Sequence, residues 1–423
     1  MLAPVETERS RLCARLLGPL LALPLLFSLG CGSVAPASED EARSAAVETG
    51  EIPLATTSAF SEPVDPNLAP WCRDGESLGR VIAEADVLSG LSIYQGVEIP
   101  LFPPSPGVDV VAGRDALVRI AVAPTSDPVD GARLVLSDSE GENVFDVIRP
   151  LSGSSKDSLS STYNFFLEGA FITPETELSV ELFRNVPCGG QSDGGARFPQ
   201  SEKSSLHARL VGALELMMVP VRFEADGSGR ISDTSEVHLE ELRSALQALY
   251  PVPEVVLHVH EPVATDEESL EGVLSQIMHL RENENAPSHL AYFGLVDPGE
   301  TMADYCEGAC VAGVSAVGSA SGVSSSGVGV GFRGAAVETF LHELGHIHRL
   351  DHAPCGAPAG VDTTFPHEAG RIGSWGFDMR DRTLKDPAGD ARDFMSYCDP
   401  TWISDHNYQK LVERISLSNS LTH

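Results

Sequence analysis

Apolar residues along the chain change rhythm near residue 206. Between 71 and 205 they come in short alternating or β-branched runs, at 116–123, 132–137, 163–167 and 178–183, separated by clusters of Gly, Pro, Asp and Ser. A period of two bounded by turn residues predicts half-buried strands, and the spacing of the runs reads as an all-β, immunoglobulin-like sandwich over 71–205. Beyond 206, residues 214–223 predict a strand, and 234–249 a helix with apolar positions Val237, Leu242, Leu246 and Leu249. Residues 255–260 predict a strand, 269–280 a helix, 289–295 a buried strand, and 311–332 two strands around a Gly/Ser loop. Strands alternating with helices predict a layered α/β (α+β) unit with a twisted mixed sheet over 206–423. The run 327–332 reads as the sheet edge that an extended peptide would join. From 334 to 347, Val337, Phe340, Leu341, Leu344 and Ile347 recur at helical spacing, so one stripe of a helix faces a core.

The first seventy residues stand apart from both rhythms. Arg9, Arg11 and Arg15 precede a Leu-rich run over 16–29, the pattern of an export signal occupying 1–30. The run falls short of the roughly 20 apolar residues a spanning helix needs, and no later segment reaches that length. It ends in Ser28-Leu29-Gly30-Cys31, which resembles a bacterial lipobox, with Ser28 where such boxes carry Leu. That resemblance implies a lipidated Cys31 and attachment at a bacterial cell surface or outer membrane; ordinary cleavage and free secretion is the other reading. Residues 31–70 are rich in Ala, Ser, Glu, Thr and Pro with no apolar period, and read as a flexible tether.

A chain of 423 residues exceeds what one core usually organises, which agrees with two domains behind a leader. With 28 basic and 61 acidic residues the net charge is −33, so nucleic acid and anionic lipid are poor partners for the body of the protein. Solubility explains that charge in general, and steering of basic peptides would be a narrower use of it. Oligomeric state has no signature in the sequence. Eight cysteines include Cys13 and Cys31 of the leader, leaving an even six. Outside the cytoplasm an even number suggests disulfides, and domain membership suggests Cys72–Cys188, Cys306–Cys310 and Cys355–Cys398. A latent state in which Cys72 caps a metal is the alternative use of that thiol.

The chemistry concentrates in the helix at 334–347. His342 and His346 are four residues apart and so project on the same side, where two imidazoles can share one cation. Glu343 lies beside them, placed to move a proton between an attacking water and a leaving amine. His342-Glu343-Leu344-Gly345-His346 is therefore an HExxH motif with a mechanism attached.

The continuation Ile347-His348-Arg349-Leu350-Asp351-His352 resembles the metzincin zinc metallopeptidases, whose HExxHxxGxxH motif ends the helix after the second ligand and turns the chain back to deliver the third. The resemblance implies Zn²⁺ held by His342, His346 and His352, with Glu343 as general base. Arg349 stands where the family carries Gly, at a cost of roughly 1 kcal/mol of backbone strain. His348, Asp351 and, in a gluzincin-like arrangement, Glu368 remain as alternative third ligands. Asp393-Phe394-Met395-Ser396-Tyr397 resembles the Met turn of that family. It implies Met395 as an apolar floor beneath the imidazoles and Tyr397 as a donor to the tetrahedral oxyanion. His367 and His406 read as surface or supporting residues.

The function expected is a zinc-dependent endopeptidase acting on extracellular proteins or peptides. The alternative is a surface adhesin or glycan- or protein-binding lipoprotein with a vestigial metal domain.

Overall fold

The computed structural model describes residues 7–12, 78–105, 107–187, 195–200, 202–306, 310–316 and 326–420. Most of the expected leader, Cys31, the tether and the expected Cys72–Cys188 bridge lie outside these residues.

In chain order the first strands are β1 (Thr7–Leu12), β2 (Leu78–Ile82), β3 (Leu88–Tyr94), β4 (Glu98–Phe102), β5 (Ala116–Val122) and β6 (Val129–Ser137). They are followed by β7 (Glu142–Leu151), β8 (Tyr163–Leu167), β9 (Glu177–Pro187), β10 (Arg197–Phe198) and β11 (Ser204–Ser205). From β2 to β11 they form two antiparallel sheets, ordered β4-β3-β5-β8 and β10-β9-β6-β7, with β2 and β11 also on β9. The period of two shows in β6, where Ala132, Leu134 and Leu136 are buried while Arg133 faces out and pairs with Asp146 directly across on β7.

The second half runs β12 (Leu214–Phe223), β13 (Arg230–Ile231), α1 (Glu236–Leu249), β14 (Val255–Val259), β15 (Val263–Thr265), α2 (Leu270–Asn283), β16 (Ala291–Val296), α3 (Met302–Tyr305), β17 (Cys310–Ala316), β18 (Ser326–Val330) and α4 (Ala336–Ile347). Short strands β19 (Gly376–Asp378), β20 (Thr383–Lys385), β21 (Arg392–Asp393) and β22 (Thr401–Trp402) lead to α5 (Asp405–Ser420). Its main sheet is ordered β1-β17-β18-β16-β12-β13, with β14 and β15 also on β12. Strands β12, β14, β15, β16 and β18 pair parallel, while β17 runs antiparallel to β18 and β1 antiparallel to β17. The chain is thus mixed α/β, with several sheets and few helices.

Two expectations need correction. Val237 is 63% exposed, because it lies about 140° around α1 from Leu242; Leu239 faces the core instead. The run 327–332 is no sheet edge, since β18 is paired on both sides, by β16 and β17. Its glycines mark close helix-on-sheet packing. A Cβ on Gly327 would come within 3.0 Å of Ile347 Cδ1, and one on Gly329 within 3.0 Å of Thr339 Cγ2, both side chains of α4.

The two halves share one apolar core. Buried Arg114, just before β5, reaches across to the end of α1 and donates to the carbonyls of Ala248 (3.1 Å), Val252 (3.3 Å) and Tyr250. Gly96 O accepts from Trp402 Nε1 at 2.8 Å and from Phe377 N at 3.1 Å, so the β3–β4 turn supports the segment that leads into α5. Among the described residues no helix is long and apolar enough to cross a membrane.

Candidate metal centre

Helix α4 presses Phe340, Leu344 and Ile347 into the core, which leaves Glu343 against β17 and His342 and His346 toward the segments after the helix. The helix ends in a Schellman turn: Arg349 N donates to His346 O at 2.7 Å and Leu350 N to Gly345 O at 2.9 Å. Arg349 holds the left-handed conformation this turn requires, with φ 63°, although it carries a side chain. The turn sends the chain back over the helix and places His352 beside His342 and His346. Ligand-capable atoms of the three residues lie within 4.8 Å of one another, and all three are buried.

Each imidazole is oriented by its Nδ1–H. His342 donates to Phe394 O at 2.9 Å, His346 to Leu350 O at 2.8 Å, and His352 to Ala359 O. The tautomer this selects leaves the Nε2 lone pairs for a common cation. His346 Nε2 and His352 Nε2 are 3.1 Å apart, and His342 Nε2 is buried with no hydrogen-bond partner among the described residues. Burial, reinforced by the neighbouring His352, pushes His342 down to about 3, and burial also lowers His346 and His352. Three neutral imidazoles converging through Nε2, one of them otherwise an unsatisfied buried acceptor, fit a zinc ion.

Around the triad, Glu343 is fully buried, and its carboxylate accepts from Ser315 Oγ of β17 at 2.7 Å. Gly313 on the same strand gives it room, since a Cβ there would sit 2.5 Å from Glu343 Cγ. Met395 lies under the helix against Gly345, where an added Cβ would meet its Sδ at 2.2 Å. The Tyr397 ring is centred 5.7 Å from that of His342 and 5.0 Å from that of His352. The expected Cys355–Cys398 disulfide is present, as is Cys306–Cys310. Cys355–Cys398 joins the His352 loop to the Met395 turn, helped by Ala353 N to Met395 O and Tyr397 N to Cys355 O, each 3.0 Å.

The alternative ligands are not brought in. His348 is buried but donates Nδ1 to Leu344 O at 2.8 Å, while Asp351 and Glu368 are exposed and outside the cluster. His367 pairs with Asp405 at 2.5 Å and His406 with Asp362 at 2.9 Å.

A model of the peptidase M66 family, a zinc metallopeptidase family, matches residues 268–414. No curated protein matches the chain. The M66 match runs from just before α2 into α5 and contains every residue of the cluster. It supports a hydrolytic protease that depends on zinc.

Several supporting residues of this M66-like segment were not read from the sequence. Asp393 is fully buried and fixes the Met395 turn, with Oδ1 accepting from Met395 N and Asn407 Nδ2, each at 2.8 Å, and Oδ2 from Ser404 N at 2.9 Å. Its position two residues before Met395 was a usable signal. Ser315 and Gly313 were hidden in a small-residue run whose strand register only the sheet defines.

Proposed function

We propose that the protein is a zinc-dependent endopeptidase of metzincin type, with His342, His346 and His352 as ligands, Glu343 as general base and Met395 in the Met turn. The observation that carries this reading is the buried three-histidine cluster, each Nδ1–H committed to a carbonyl, inside the segment that matches peptidase M66. His342, His346 and His352 would hold a zinc ion, which would supply the Lewis acidity that polarises a peptide carbonyl and acidifies a water. Glu343, one residue from His342, takes the proton of the attacking water and returns it to the leaving amine. The Tyr397 hydroxyl donates to the developing oxyanion. Burial of the triad excludes bulk water and strengthens these charges.

The same reading takes 71–205 as an immunoglobulin-like sandwich and 206–423 as the peptidase unit. It also takes the protein as exported, anchored through lipidated Cys31 or secreted, and acting on extracellular proteins or peptides. Labelling with a radioactive fatty acid, with Cys31→Ser as the comparison, tests the anchor; equal labelling of both would reject it.

The deciding experiment pairs zinc content with peptide-library cleavage. Glu343→Gln should keep its zinc and lose roughly 10²–10⁴-fold in kcat/KM. Tyr397→Phe should lose about 10²–10³-fold in kcat with little change in KM. A Glu343→Gln protein that cleaves normally would end the assignment.

A further inference from the structure

The third ligand depends on a segment without helix or ladder of its own. His352 donates Nδ1 to Ala359 O and its N–H to Gly360 O at 3.2 Å, and its carbonyl accepts from Asp362 N at 2.9 Å. All three bonds run to 359–362, an irregular stretch that meets His352 in an isolated bridge at Val361, contains left-handed Gly360 and follows left-handed Gly356 and Ala357. Something else must hold 359–362 for His352 to be held.

That support comes from α5. His406, Lys410 and Arg414 recur at intervals of four and so occupy one face of the helix. His406 Nε2 donates to Asp362 Oδ2 at 2.9 Å and Lys410 Nζ to the same oxygen at 2.5 Å. Asp362 Oδ1 accepts from Thr364 N at 2.8 Å and Thr364 Oγ1 at 2.7 Å, so both oxygens of this buried side chain are engaged. Arg414 Nη1 donates to His348 O at 2.8 Å and to Arg349 O, capping the carbonyls at the left-handed turn that ends α4. The stripe therefore grips the metal-site segment at its start, 348–349, and at the stretch that orients His352.

We infer that His406, Lys410 and Arg414 form a clamp whose task is to position His352, so that zinc affinity is set in part by a helix that supplies no ligand. The inference rests on the proposed zinc site. The neighbouring residue Gln409 faces another way: its Oε1 accepts from Asp109 N at 3.0 Å and its Nε2 donates to Asp109 Oδ2 at 3.2 Å, both in the β-rich half. It is the internal control for anything α5 contributes merely as packing.

The test is zinc affinity by chelator competition on the full chain, with folding followed by circular dichroism. Lys410→Met and Arg414→Met should each weaken zinc binding about 10- to 100-fold while the protein stays folded. Lys410→Arg should recover most of the loss, and Gln409→Ala should leave affinity unchanged. Asp362→Asn, which keeps the side-chain size and the Thr364 turn, replaces Lys410→Met should that variant not fold, with the same loss expected. Unchanged affinity in folded Lys410→Met or Asp362→Asn overturns the clamp, as does an equal loss in Gln409→Ala. An unmodified chain that takes up no zinc overturns the metal reading itself.

Discussion

The candidate metal centre draws on two regions of opposite character. His342, Glu343 and His346 stand on α4, where a four-residue spacing and the helical ladder bring them together whatever lies outside the helix. His352, Met395 and Tyr397 stand in 348–404, whose regular elements are the two- and three-residue strands β19 to β22 and one 3₁₀ turn. That region is held by long-range bonds: the Cys355–Cys398 disulfide, Asp393 to Asn407, Asp362 to Lys410, and Arg414 to the end of α4. The difference teaches that helix geometry alone sets His342 and His346 side by side, whereas His352 reaches them only through contacts made by residues outside the cluster.

The largest effect that sharpens this contrast is His346→Ala, which should take bound zinc from about one per chain to none, read by atomic absorption. Zinc retained at full stoichiometry would mean that the helix is not the primary holder. Asp393→Ala comes next. It leaves three donors around an emptied, fully buried site, so unfolding stability should fall by at least about 1–3 kcal/mol. Zinc affinity should fall with it, through the His342 bond to Phe394 O. A chelator titration that finds affinity intact would show the Met395 turn to be self-sufficient and would break the comparison. The smallest effect is Arg349→Gly. This exposed residue sits at φ 63°, so glycine should raise stability by up to about 1 kcal/mol in thermal unfolding. A loss instead would mean that the Arg349 side chain contributes more than its backbone strain costs.

Legibility followed the same division. The positions of α1, α2, α4, β12, β14 and β16 could be read from apolar period, because burying one face of a helix or strand imposes that period directly. Helix α5 was not read, although its stripe of His406, Lys410 and Arg414 has helical spacing: polar contacts to a partner segment look, in sequence, like a solvated face. The edge of the sheet was misplaced onto 327–332, since small residues announce close packing equally in a central and in a peripheral strand.

What the sequence determined by itself is whatever a short stretch of chain can enforce: the helix of 336–347, the shared side of His342 and His346, and Glu343 next to them. A left-handed turn at Arg349 could also be anticipated, from its place in the motif, and it occurs despite the side chain. Only the tertiary structure decided that His352 closes the cluster instead of Glu368, that Ser315 and Gly313 accommodate Glu343, and that Asp393 and the face of α5 hold the loop segments in place. The physical reason is range. Backbone geometry fixes neighbours within a turn or two, but a loop has no preferred direction until distant donors, a disulfide and the shared core supply one.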